Sequence, residues 1–162
     1  MSFATTLRTT ASILIITNAK KTRIYIIICV VALIQYGATF NHDYAWDDAI
    51  VITQNERVQQ GLSEPSEFFR NIKGDEVQYR YGYRPITLLS FAWDIERSEM
   101  TPKTGHVMNV LYYALLCCLI FYFLRRMFPE KGTLFCIIIV GLFLIHPVHT
   151  EVVANIKLRD EI

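Results

Sequence analysis

Residues 107–124 read VMNVLYYALLCCLIFYFL and are closed by Arg125 and Arg126. A helix of this length rises ~27 Å, which comes close to the ~30 Å of hydrocarbon in a bilayer. Working outward, the connection RRMFPEKG (125–132) is short and basic, and a second apolar run, LFCIIIVGLFLI (134–145), leads to His146 and Pro147. Upstream, IYIIICVVALIQYGATF (24–40) is a third block, with Lys20, Lys21 and Arg23 before it and His42, Asp43, Asp47 and Asp48 after it. Short basic segments stay in the cytoplasm. The basic start of the first block and the basic turn at 125–131 therefore give the same orientation independently.

The expected fold class is an all-α membrane protein of three transmembrane helices with a long, partly helical outer loop. Its divisions are a cytoplasmic tail (1–23), helix one (24–40), an outer loop (41–105), helix two (107–124), a cytoplasmic loop (125–131), helix three (132–147) and an outer segment (148–162). A cleavable signal peptide competes for the first block, since Gly37 and Ala38 lie near its end. The further spans and the lack of an A-x-A site favour an uncleaved helix.

Composition agrees. Of 162 residues, 52% are hydrophobic and only 19% charged, with a formal net charge of +1 and a mean hydropathy of +0.29. Disorder is excluded by the wealth of Ile, Leu, Phe and Tyr, and no basic face suggests nucleic acid. Cys29, Cys117, Cys118 and Cys136 all fall within apolar blocks, where thiols pack as small hydrophobes; a disulfide framework is excluded because the long polar stretch holds no cysteine. No internal repeat is present, which speaks against a transporter built from repeats.

The outer loop carries aromatic and branched residues throughout, including Trp46, Phe68, Phe69, Tyr79, Tyr81, Tyr83, Phe91 and Trp93. It therefore reads as folded rather than as a tether. Ile86, Leu88, Leu89, Phe91 and Trp93 follow Pro85 and suit a helix end or an interfacial segment.

Three polar clusters are candidates for chemistry. Adjacent Asp47 and Asp48 cannot both face one partner, so one turns to a site while the other caps a backbone or meets a cation; their alternative reading is a solvated helix cap. Tyr79-Arg80-Tyr81-Gly82-Tyr83-Arg84-Pro85 suits either lipid-phosphate contact or an aromatic anchor with snorkelling arginines. His146, His149 and Glu151 leave a divalent metal open beside a hydrogen-bonded cap, and no metal site is assigned. His106 and Asn109 share a helix face and should point to a protein interior or wet cavity.

Four runs then resemble one membrane family in order and spacing: Tyr44-Ala45-Trp46-Asp47-Asp48, Tyr83-Arg84-Pro85-Ile86-Thr87, Gly105-His106-Val107-Met108-Asn109-Val110-Leu111, and His146-Pro147-Val148-His149-Thr150-Glu151-Val152-Val153-Ala154. The chain resembles the N-terminal part of the transmembrane and tetratricopeptide-repeat-containing O-mannosyltransferases and their bacterial relatives, members of the GT-C glycosyltransferases. The resemblance implies a polyprenyl- or dolichyl-phosphate-linked sugar donor, a protein or glycan hydroxyl as acceptor, and membrane lipid as surroundings. It implies that Asp47 or Asp48 is the catalytic carboxylate and that Arg84, with Arg80, neutralises the lipid phosphate. His106, Asn109, His149, Glu151, Arg159 and Asp160 would line the same cavity. Three helices cannot enclose such a cavity, so the expectation is a fragment inactive in isolation; a non-catalytic membrane assembly protein is the alternative. The absence of an N-x-[ST] sequon favours a bacterial cytoplasmic membrane over the endoplasmic reticulum.

Overall fold

The structure, a computed structural model, describes residues 21–70, 82–98 and 101–162, and only the backbone of Trp46 and Ser98. Arg80, Tyr79, Tyr81 and the tail 1–20 lie outside the described residues. Every regular element among the described residues is helical.

Helix α1 (Lys21–Asn41) tightens into a 3-10 turn at Gly37–Asn41. After it come two short helices, α2 (Trp46–Asp48), which runs into a π-turn at Ala49–Thr53, and α3 (Glu56–Gln59). A 3-10 turn at Pro65–Phe69 precedes α4 (Pro85–Ser98). The longest helix, α5 (Pro102–Met127), is followed by α6 (Gly132–Leu144), α7 (His149–Ala154) and a 3-10 segment at Ile156–Glu161.

Local chemistry sets these boundaries. Thr101 caps α5 by accepting the Thr104 N–H at 3.2 Å, and Pro102 takes the first helical position, where no N–H is needed. Arg125 and Arg126 in the last turn oppose the negative end of the helix dipole. Gly132, at φ +75°, makes the tight turn into α6.

The helices build two cores. In the first, Ile28, Ala32 and Tyr36 on one face of α1 meet Val110, Tyr113, Ala114, Cys117 and Phe121 of α5 and Cys136, Val140 and Leu144 of α6. Cys29 and Cys118 face each other across α1 and α5 with sulfurs 3.8 Å apart. The second core forms a cap over the end of the bundle where α1 finishes and α5 begins. Val51, Ile52, Val58, Phe68, Leu88, Phe91, Ala92 and Ile156 fill it. The described parts of the polar loop thus fold as a small helical cap. Helix α4 does more than lie at an interface: Leu88, Phe91 and Ala92 belong to the cap core, while Ile86 and Trp93 remain exposed.

The outward faces of the bundle are apolar too. Ile26, Ile27, Val30 and Ile34 of α1, Leu115, Leu119 and Phe123 of α5, and Leu134, Ile138 and Leu142 of α6 are all exposed. Only 22% of the apolar window of α1 and 33% of that of α5 is buried, whereas the core helix of a soluble protein is mostly buried. This surface belongs in lipid. The chain is an all-α membrane protein, and two helices, α1 and α5, are long and apolar enough to cross the bilayer. The third apolar run forms only the 13 residues of α6, ~20 Å of helix.

Candidate functional site

The two adjacent aspartates divide their work. Asp48 is fully buried beneath the cap. Its Oδ2 accepts the Ala45 N–H at 2.8 Å and its Oδ1 accepts the Lys157 N–H at 2.8 Å. One carboxylate therefore pins the start of α2 to the terminal 3-10 segment. Burial pushes the Asp48 carboxyl above the ordinary aspartate value, and the two backbone hydrogen bonds pull it back. Asp47 is exposed and accepts from Lys157 Nζ at 2.7 Å. Of the pair, Asp47 is the one open to solvent.

Arg159 is the hub of the site. Its side chain is 4% exposed. Nε donates to Asn109 Oδ1 (2.9 Å), and Nη1 donates to Ser90 Oγ (3.0 Å) and Asp94 Oδ2 (2.7 Å). The guanidinium also lies over the rings of Phe91 (4.3 Å) and Tyr112 (5.4 Å). Asn109 completes its amide by donating to Asn155 O at 3.0 Å. Burial raises the Asp94 carboxyl, opposed by the charge and hydrogen bond of Arg159. Nη2 of Arg159 is buried and makes no hydrogen bond to a described residue.

Beside this hub runs a groove of about 650 Å³ between α4 and α5. Leu115, Leu116 and Leu119 line its lower part, and Arg84, Arg159, Asp160, Thr87 and Ser90 gather at its head. Arg84 forms an ion pair with Asp160 at the rim. The groove is thus apolar along its lower part and carries charged side chains of both signs at its head.

The remaining sequence candidates are distributed unevenly. His106 is buried, edge-on to His42 at 5.9 Å, with neither ring nitrogen hydrogen-bonded to a described residue. His149 packs against Phe143 (4.3 Å) and Tyr113 (5.5 Å), on the bundle side. Glu151 is exposed. His146 and His149 have rings 6.0 Å apart, and among the described residues no three His, Cys, Asp or Glu side chains gather as metal ligands. Arg80 lies outside the described residues. Sequence reasoning missed Asp94, Ser90 and Lys157. A signal existed for the first two: Ser90 and Asp94 stand at i, i+4 alongside Phe91, placing an acid on an otherwise buried stripe of α4.

No family model matches the chain, and no solved structure matches it. Curated relatives do. Protein O-mannosyl-transferase TMTC1 of Mus musculus is 32% identical over 133 residues, which is 78% of this chain and 14% of the relative. Protein O-mannosyl-transferase TMTC3 of Mus musculus is 29% identical over 140 residues, 85% of this chain and 15% of the relative. Protein O-mannosyl-transferase F38B6.6 of Caenorhabditis elegans is 30% identical over 142 residues, 85% of this chain and 20% of the relative. Its homologues are protein O-mannosyl-transferases. The chain spans no more than about a fifth of the length of these O-mannosyl-transferases.

Proposed function

We propose that this chain forms the donor-binding front of a GT-C glycosyltransferase that moves mannose from a polyprenyl- or dolichyl-phosphate to a protein hydroxyl. The observation that carries this reading is the groove between α4 and α5, apolar below and arginine-headed above, in a chain whose homologues are O-mannosyl-transferases. The prenyl tail lies along Leu115, Leu116 and Leu119. Its phosphate meets Arg159 Nη2 and Arg84, the latter exchanging Asp160 for the phosphate oxygens.

Transfer joins the acceptor oxygen to the anomeric carbon as the bond from that carbon to the phosphate oxygen breaks. Asp47 takes the acceptor hydroxyl proton, and the lipid phosphate leaves as an anion held by the arginines. Asp48 acts through Asp47 and Lys157 as a positioning residue. The cap faces away from the cytoplasm and the basic end at Lys21, Arg125, Arg126 and Lys131 faces it. In this arrangement α6 with its flanking turns serves as a third, short span. The activity belongs to the assembled transferase, of which these helices supply one wall.

The test separates the aspartates within the complete transferase. Asp47→Asn lowers mannosyl transfer by about 10²–10⁴-fold, the usual contribution of a general base, with unchanged amounts of membrane protein. Asp48→Asn lowers the amount of folded protein as well. Full transfer by the Asp47→Asn enzyme would overturn the assignment.

A further inference from the structure

At the opposite end of the bundle, where α1 begins and α5 ends, a second cavity of about 550 Å³ opens between those helices and the start of α6. Lys21, Arg125, Arg126 and Thr133 stand at its polar side, and Tyr25 and Phe121 form its apolar wall, their rings edge-on at 5.4 Å. Among the described residues no carboxylate lines it. Arg126 lies over the Tyr122 ring at 5.6 Å and donates to its hydroxyl at 3.3 Å, which holds its guanidinium against the helix. Arg125 is different: its Nη1 is buried and has no hydrogen-bond partner among the described residues. A buried cationic donor is costly unless an acceptor meets it.

We propose that this crevice is a binding site for the phosphate headgroup of an anionic phospholipid. Three cations with no acid among the lining residues supply the charge complementarity. The level of the crevice, at the end of two apolar helices, is that of the lipid headgroups. The Tyr25–Phe121 wall gives the first methylenes of the acyl chains an apolar face. Phosphate oxygens on Arg125 Nη1 and Lys21 Nζ satisfy the orphaned donor. The crevice shares no lining residue with the groove and does not depend on the transferase reading.

The experiment places the full-length protein in nanodiscs of phosphatidylcholine with a minor fraction of phosphatidylglycerol, and counts retained lipids by native mass spectrometry. Wild type should retain phosphatidylglycerol over phosphatidylcholine. Arg125→Gln should cut that preference about fivefold, the value of one basic residue near an anionic surface, while Arg126 and Lys131 keep the orientation rule satisfied. Lys131→Gln, which removes a charge outside the crevice, should leave the preference unchanged. Equal loss in both variants would show a diffuse charge effect and overturn the site. So would wild type retaining both lipids equally, or inorganic phosphate displacing phosphatidylglycerol at millimolar concentration, which would mark a free-phosphate site.

Discussion

Asp94 and Arg159 carry the sharpest residue-level consequence, because both are nearly excluded from solvent, at 3% and 4% side-chain exposure. Removing one partner of such a pair strands the other as an uncompensated charge, at a cost of about 3–5 kcal/mol. Asp94→Leu should therefore lower the unfolding midpoint of the detergent-purified protein sharply. The double variant Asp94→Leu with Arg159→Met should recover most of that loss, since no charge is left buried; a double variant as unstable as the single one would contradict the account. Arg159 was named in the sequence as a cavity residue that the resemblance implies, whereas Asp94 was not named. Its i, i+4 spacing with Ser90 sets an acid beside Phe91, but that this face of the Pro85–Ser98 helix is buried follows only from the docking of the 3-10 segment. The Asp47–Asp48 pair shows the same limit. Adjacency required a division of labour, but only the docking of Lys157 shows which carboxylate caps a backbone and which meets a cation.

At the scale of elements, the seam between cap and bundle rests on one glycine. A Cβ placed on Gly105 of α5 would stand 2.7 Å from Ile156 Cδ1 and 2.9 Å from its Cγ2. Ile156 is fully buried, and Asp48 holds the backbone next to it at Lys157. In an open helix Gly→Ala would gain about 1 kcal/mol, but here overpacking costs about 1–3 kcal/mol. Gly105→Ala should thus destabilise, and adding Ile156→Val, which removes the nearest methyl, should restore part of the loss. Thermal unfolding of the two variants checks this, and a stabilised Gly105→Ala protein would contradict the seam. The long apolar helices were legible because runs of 17 and 18 residues that are almost wholly apolar and free of charge admit few other readings. The 13-residue extent of α6 was not, since Pro147 and the turn at 145–148 end the helix before the apolar composition ends.

Across the whole molecule, two cores of different character meet at the site: a bundle whose outer faces are isoleucine, leucine and phenylalanine, and a cap whose polar residues converge on Arg159. The groove exists only where they join, with α4 from the cap on one side and α5 from the bundle on the other. For that reason no single motif in the sequence announces it. In the proposed transferase this groove receives a lipid-phosphate sugar. The most direct test of that claim is photolabelling of the complete transferase in membranes with a polyprenyl-phosphate mannose bearing a photoreactive group on its prenyl chain, followed by peptide mapping. Labels concentrated on residues 84–90 and 112–119, and lost on addition of unlabelled donor, are the predicted result. Labels that avoid both segments, or that persist undiminished in excess donor, would contradict it.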